Sequence, residues 1–256
     1  MDIGYFPGCS LLGSAREYDE SLRQVAGALG LELREVPDWN CCGASAAHAL
    51  DHELALALPA RILALAEQAG FSEILVPCSA CLARLLSARR ELSEDAPLRE
   101  RIAGRIGLPL AGTAAPVDVL TVLARLLDAA GADRIPRPWS RSVACYYGCL
   151  LVRPPELLPA ERTEDPQRMD DILSRIGARP VAWSFKTECC GAGLSVARTD
   201  LVARLCRPIV EDAVRRGAEA IVVACPMCHS NLDMRRPEIE REAGRDLDIP
   251  VLYVTE

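Results

Sequence analysis

The sequence predicts an α/β fold made of two similar halves, each a short, mainly parallel sheet flanked by helices. Three observations carry this expectation. Short apolar runs alternate with longer runs of helical period, the pattern of parallel strands joined by crossover helices. One ordered series of cysteines occurs twice at half-chain spacing, which marks an internal repeat. The length of 256 residues suits one or two domains with a full core.

In the first half, residues 15–29 read as a helix with Ser14 as N-cap, Leu22, Val25 and Leu29 on one face, and Gly30 as the stop. Residues 31–36 follow as a strand. Asp51 caps a helix over 52–69 that Gly70 ends, and Ile74-Leu75-Val76 forms a short buried strand running into Cys78. Residues 89–116, charged and punctuated by proline, read as a connector. A second connector at 131–141 holds Pro136 and Pro138 and divides the chain into a first half, 1–130, and a second half, 142–256. The second half offers a strand at 142–146, a helix at 170–176, a strand at 181–183, a helix at 200–216 ended by Gly217, and a strand at 221–224. Residues 152–166, with Pro154, Pro155, Pro159 and Pro166, form an insertion after Cys149. It reads as an ordered surface loop, with a lid or partner contact as the alternative. Pro59 and Pro208 match at an offset of 149 residues inside two otherwise helical segments, where an interior proline costs about 3 kcal/mol.

Composition narrows the function classes. A formal charge of −7 lacks the basic footprint of a nucleic-acid binder. The longest apolar runs, 54–60 and 62–66, fall far short of the roughly 20 residues that span a bilayer. The opening Met1-Asp2-Ile3-Gly4-Tyr5-Phe6 has neither the basic nor the apolar region of a secretory signal, which predicts a cytoplasmic address. In a reducing compartment, twelve cysteines point to metal or redox chemistry before structural disulfides.

Ten of the twelve fall into two sets, Cys9, Cys41, Cys42, Cys78 and Cys81, then Cys149, Cys189, Cys190, Cys225 and Cys228. The spacings are C-x31-CC-x35-C-x2-C and C-x39-CC-x34-C-x2-C, with glycine after the adjacent pair in both, and matched cysteines are offset by 140, 148 and 147 residues. Neighbouring Cα atoms are about 3.8 Å apart, shorter than the ~4.4–6.8 Å usual for a disulfide, so metal bridging suits the adjacent pairs better. Each motif lies at the carboxyl end of an expected strand or in a strand-to-helix loop, where α/β folds build their sites. Five thiolates exceed the four that tetrahedral zinc or an ordinary four-iron cubane takes, which favours a larger or irregular iron–sulfur assembly; zinc on four of the five stays open. The ferredoxin run C-x2-C-x2-C-x3-C is absent, so conventional cubanes are expected on a partner. Cys145, on the 142–146 strand at the place Tyr5 holds in the first half, and Cys206, which matches Ala57 in a helix, read as buried packing residues.

These motifs resemble the cysteine-rich CCG domain family, in the form found in the B subunit of heterodisulfide reductases. The resemblance spans the whole chain, including Tyr5-Phe6-Pro7-Gly8-Cys9-Ser10, Asp38-Trp39-Asn40-Cys41-Cys42-Gly43-Ala44 and Cys225-Pro226-Met227-Cys228-His229-Ser230-Asn231-Leu232. It implies two pseudo-symmetric CCG repeats, each binding a noncubane [4Fe–4S] cluster through its five cysteines. It further implies a catalytic iron–sulfur subunit for two-electron reduction of a disulfide, or the reverse oxidation of thiols or sulfur. Implied partners are a flavin-containing subunit, with FAD, and a ferredoxin-like subunit with cubane clusters. Coenzyme M–coenzyme B is the family's methanogen substrate, while the arginine- and alanine-rich composition here suggests a high-GC bacterium using another thiol or a protein-bound sulfur.

The twofold layout leads to the expectation that two clusters flank a substrate crevice and that each gives one electron to a disulfide, with no thiolate attack. Lys186 is the only lysine and stands three residues before Cys189, where it would stabilise cluster charge, bind an anionic group or donate a proton; a solvated loop lysine is the plain alternative. His48 and His229, close to cluster cysteines, are proton-relay candidates weighed against structural roles. Two other function classes stand beside disulfide reduction: an electron relay of the lactate, glycolate or succinate oxidation type, and a zinc-stabilised interaction module.

Overall fold

The computed structural model describes residues 2–44, 46–131, 138–158 and 162–256. Its first sheet contains β1 (Asp2–Tyr5), β2 (Glu32–Glu35), β3 (Glu73–Leu75) and β4 (Ala115–Val117), ordered β2-β1-β3-β4 and parallel throughout. The second contains β5 (Ser142–Tyr146), β6 (Arg179–Pro180), β7 (Ala220–Val223) and β8 (Val251–Tyr253), ordered β6-β5-β7-β8 and again all parallel. The two halves therefore repeat one topology. Register carries the repeat to the residue: Tyr5 stands opposite Leu75 and Cys145 opposite Val222, each partner three residues before the first cysteine of its C-x2-C motif.

Helices α1 (Gly8–Leu12) and α2 (Arg16–Ala28) connect β1 to β2. Residues Tyr18, Leu22 and Ala26 form the buried face of α2, one helical turn apart. Val25 and Leu29, expected on that face, are half-buried beside it, and Ser14 does not cap: Ala15 stands at the N-cap with no side-chain bond. Between β2 and β3 lie α3 (Ala47–Leu50) and α4 (His52–Gln68), with Asp51 capping α4 by accepting from the Leu54 amide at 2.6 Å, as expected. Its counterpart α9 (Thr199–Arg215) precedes β7, and both helices carry their interior prolines, Pro59 and Pro208.

The expected connector 89–116 is a correction. It holds the end of α5 (Ser79–Glu94), all of α6 (Ala96–Ile106) and the start of β4. The proline at 97 sits in the first turn of α6, where a missing N–H costs nothing, and Asp95 caps that helix by accepting from Leu98 N at 2.9 Å. Beyond α6 the Glu67 carboxylate accepts from Ala111 and Thr113 amides at 2.8 and 2.7 Å, fastening the run into β4 onto α4. The charges that suggest a linker are the solvent face of a helical hairpin.

Two compact units emerge, Met1–Val122 and Leu123–Glu256. The division falls inside α7 (Val119–Ala130), ahead of the expected connector 131–141, of which 132–137 lie outside the described residues. Within the second unit, Asp128 near the end of α7 pairs with Arg175 on α8 (Arg168–Arg175) at 2.5 Å. The strand expected at 181–183 lies two residues earlier. Val181 donates the last ladder bond to Val143 O at 2.8 Å, after which the chain leaves the sheet and Trp183 turns inward, its indole N–H meeting Cys145 O at 3.2 Å. The insertion 152–166 is described except at 159–161, so the part of it around Pro159 lies outside the described residues. After β7 come α10 (Pro226–His229), a π-turn over Ser230–Met234 and α11 (Arg236–Ala243).

Candidate metal centres

In the first unit the five thiols gather beyond the carboxyl ends of β1, β2 and β3. Cys9 is the second residue of α1, Cys41 and Cys42 follow β2, Cys78 is the N-cap of α5, and Cys81 sits in its first turn. The loop carrying the adjacent pair is held from both sides. Trp39 packs edge-on against Phe6 with ring centroids 5.3 Å apart, and Arg61 on α4 donates to Asp38 O at 2.6 Å and Asn40 Oδ1 at 3.1 Å. These contacts account for the Asp38-Trp39-Asn40 stretch: it docks the cysteine loop. Cys42 Sγ lies 3.0 Å from Cys81 Sγ, and the Gly43 amide points at Cys41 Sγ from 3.5 Å.

The second unit repeats the arrangement. Cys149 follows β5, Cys189 and Cys190 lie in the loop after β6, Cys225 is the N-cap of α10 and Cys228 stands within it. Cys190 Sγ is 3.6 Å from Cys228 Sγ, and the Gly191 amide is 3.3 Å from Cys189 Sγ. Here the loops are joined by backbone. The Lys186 carbonyl accepts from the Tyr147 and Gly148 amides at 2.9 and 3.1 Å, and Tyr146 Oη donates to Glu188 O at 2.6 Å.

The thiols neighbour one another in matching pairs in both sets, but the lowered thiol is Cys42 in the first and Cys189 in the second. The Cys81 bond holds Cys42 down to about 7, while Cys42 and then Cys78 push Cys81 well up. The Cys149 bond lowers Cys189 to about 6, and Cys189 pushes Cys149 up. Cys228 is raised by Cys190 and then Cys225. Burial raises Cys41, which also feels Cys9. All five thiols of each half are thereby linked in a chain of close neighbours. No disulfide joins them. Among the described residues, no three His, Cys, Asp or Glu side chains close around one metal ion.

This donor set fits an iron–sulfur cluster. Thiolates are the ligands such clusters take, and a string of close pairs can serve several irons, whereas one zinc ion needs four donors about a single point. The surrounding backbone is cut to the sulfurs. Gly8 and Gly148, one residue before Cys9 and Cys149, have φ of +68° and +65°, and a Cβ there would fall 3.4 Å from Cys81 Sγ and 2.9 Å from Cys228 Sγ. Ser79 Oγ, buried within the first C-x2-C turn, has no hydrogen-bond partner among the described residues, a donor left for a group the protein alone does not supply. Each site has a buried floor, Cys42, Cys78 and Cys81 or Cys190, Cys225 and Cys228, and a more exposed rim, Cys9 and Cys41 or Cys149 and Cys189.

The other expected residues are placed differently from one another. Lys186 is no solvated loop cation. Its side chain is 6% exposed, with Nζ 2.9 Å from Asp170 Oδ1, 3.0 Å from Asp165 Oδ1 and 3.1 Å from Pro166 O. Burial pulls its pKa down, but the bonds with Asp170 and Asp165 outweigh that and hold it above the ordinary lysine value. Tyr147 completes the cluster of polar groups, donating to Asp170 Oδ2 at 2.7 Å and accepting from Met169 N at 2.7 Å. His229 stacks on Tyr253 with centroids 4.2 Å apart and places Nε2 3.1 Å from Val251 O; His48 is exposed on α3. Cys145 and Cys206 are fully buried with thiols pushed up by burial, and Cys206 Sγ donates to Cys190 O at 3.4 Å.

Sequence reasoning passed over Asp170, Tyr147, Ser79 and Asn231. Asn231 is completely buried, with Nδ2 2.9 Å from Cys190 O and 3.7 Å from Cys190 Sγ. Its signal is its place three residues past Cys228, next to the ligand motif. Asp170 has no local signal, because only the docking of α8 brings it to Lys186.

Comparison with known proteins finds the same twofold division. The profile of the cysteine-rich CCG domain matches residues 3–85 and 143–233, one copy per half. The chain is 31% identical to the 8-methylmenaquinol:fumarate reductase membrane anchor subunit of Wolinella succinogenes, across 100% of this chain and 90% of that protein. It is 28% identical to the B subunit of the ferredoxin/F420H2-dependent CoB-CoM heterodisulfide reductase of Methanosarcina acetivorans, across 99% of this chain and 87% of that one. Among solved structures, a hypothetical protein from Helicobacter pylori superposes with a TM-score of 0.77 at 12% identity, a likeness of fold. The match takes in 99% of this chain, which spans about half, 47%, of the Helicobacter pylori chain.

Proposed function

The chain belongs to the cysteine-rich CCG domain family, and from that premise we propose that it is the iron–sulfur subunit of a heterodisulfide reductase-like complex, reducing a disulfide by two electrons or oxidising thiols or sulfur in reverse. The observation that carries the reading is the twofold convergence of five thiols, linked in the same order in each half. Cys9, Cys41, Cys42, Cys78 and Cys81 would hold one noncubane [4Fe–4S] cluster, and Cys149, Cys189, Cys190, Cys225 and Cys228 the other. When bound, the clusters would supply one electron each and Lewis-acidic iron for opening an S–S bond.

The chain's own residues then have three tasks. The buried cysteines of each floor fix the cofactor away from water, while the rim formed by Cys9 and Cys41, or by Cys149 and Cys189, leaves a side that a substrate or partner can reach. The Lys186, Asp165, Asp170 and Tyr147 network fixes the insertion and the Cys149 and Cys189 loops, so Lys186 acts by positioning. Opening R–S–S–R′ to RSH and R′SH takes two electrons and two protons. Of the three residues singled out for proton handling, His48 alone presents an exposed ring, and proton delivery is assigned to it; His229 is committed to Tyr253 and Val251 O. Electrons would arrive from a flavin-containing subunit through a ferredoxin-like one in a cytoplasmic complex, where ten thiols stay reduced.

A second reading has an observation of its own. Identity to the fumarate reductase subunit, 31%, exceeds that to the heterodisulfide reductase subunit, 28%, which supports a relay that passes electrons with no disulfide substrate. Among the described residues no helix is long and apolar enough to cross a membrane. The test is anaerobic purification of the complex and assay of candidate disulfides with a reduced viologen. Disulfide-dependent viologen oxidation, lost in Cys42→Ser and Cys190→Ser, is expected. Viologen oxidation by a quinone with none by any disulfide would select the relay.

A further inference from the structure

Asn231 occupies the place after Cys228 that Arg84 occupies after Cys81, but the backbone around the two differs. In the first half α5 runs unbroken over Ser79–Glu94. In the second, the helix widens into the π-turn Ser230–Met234, the kind of local expansion that re-aims a side chain. Asn231 is thereby turned inside, with no exposed surface. The orientation of its amide is determined by its neighbours: the Cys190 carbonyl can only accept, so the NH2 must face it, and Oδ1 meets Ser195 Oγ, whose single proton it shares with Ala192 O, each at 2.8 Å. One N–H goes to the carbonyl at 2.9 Å, and the other is available to Cys190 Sγ at 3.7 Å. In the first half the half-buried Arg84 offers no such amide; its guanidinium favours the Cys42 thiolate by charge alone, so the two halves stabilise matching sulfurs by different means.

We propose that Asn231 is a sulfur-directed hydrogen-bond donor that raises the reduction potential of the second cluster and makes the two cluster sites of this chain electronically unequal. The inference rests on the reading that both cysteine sets are loaded. Reduction adds negative charge that spreads onto the cysteine sulfurs, and an N–H dipole held against one of them stabilises the reduced form more than the oxidised form. A fixed donor in a buried site costs no reorganisation when the electron arrives. Asn231 touches a ligand and not a substrate, so it acts as a tuning residue.

The experiment is an anaerobic potentiometric titration of the full chain, followed by visible absorbance and EPR, in wild type, Asn231→Asp and Ser195→Ala, with iron and sulfide counted first. The aspartate keeps the shape and exchanges the donor for a carboxylate, so its shift combines the lost donor with any added charge; the alanine adds no charge, leaves the donor in place and frees its anchor, which isolates the hydrogen bond. Expected is full iron in all three and a fall in one of two one-electron waves, the reduced-to-oxidised ratio at fixed potential changing about tenfold in Asn231→Asp, close to 59 mV. Ser195→Ala should move the same wave the same way by less. Unmoved waves at full iron, or equal movement of both, would overturn the proposal. Should Asn231→Asp lose iron, Ser195→Ala decides alone, and an unshifted titration in it counts against the proposal. A wild type lacking two clusters would instead remove the cluster reading beneath it.

Discussion

Cys42 Sγ lies 3.0 Å from Cys81 Sγ, although 39 residues separate them in sequence, and Cys190 stands to Cys228 in the same way at 3.6 Å. Each pair joins the loop after one strand to the helix after another, so the thiols meet only when the parallel sheet is formed. Loading of the proposed clusters should therefore depend on the folding of each half.

Cys42→Ser and Cys190→Ser should each cost one half its cluster while sparing the other, because the two sets lie in separate compact units. Iron per chain, measured after anaerobic purification, should fall from about eight to about four in either variant. Equal loss from both halves would mean that the sites are not independent.

The two cradle glycines should differ in sensitivity. Gly148→Ala puts a methyl 2.9 Å from Cys228 Sγ, and Gly8→Ala puts one 3.4 Å from Cys81 Sγ, both at positive φ. The backbone alone costs about 1–2 kcal/mol, and the closer contact is added at position 148. Iron retention should therefore be lower in Gly148→Ala than in Gly8→Ala.

Lys186→Met should destabilise the fold by about 3 kcal/mol, the low end for breaking a buried ion pair, since Tyr147 still donates to Asp170. The Lys186 pKa is raised, so its stabilisation persists below the ordinary value of 10.5 and disappears as pH climbs past the higher folded value. Asp165 is lowered by Lys186, so its share is present above 3.8 and lost as pH falls through the lower folded value. Urea unfolding of wild type and variant should differ by a constant amount from about pH 5 to 9; the difference should shrink by Asp165's share below that window and disappear above it. Lys186→Arg should recover part of the loss.

Stripping metal should expose a ranking among thiols. Cys189 is exposed and lowered to about 6 by the Cys149 bond, so at pH 7 it should be alkylated first by iodoacetamide. Cys145 and Cys206, buried and pushed upward, should stay unmodified until the chain unfolds. Mass-spectrometric mapping over time checks the order, and in the loaded protein Cys189 should be protected.

Much of this organisation can be read from the chain. The twin cysteine series, the matched prolines and the Asp51 cap are local signals, and the structure places each where periodicity and punctuation put it. The 89–116 segment misleads because its charges and prolines look the same on a solvent-facing helix as in a linker; the cap at Asp95 is what distinguishes them. Lys186 stands out by rarity, but its partners Asp165 and Asp170 reach it through tertiary packing, which no local pattern records. Asn231 depends on a π-turn whose one-residue widening leaves no mark in spacing.

The proposed function stands on ten cysteines holding two iron–sulfur clusters. Iron and acid-labile sulfide per chain, measured on the anaerobically purified wild-type protein, test it most directly. Two four-iron clusters require about eight of each. A colourless chain holding zinc and no sulfide would contradict it.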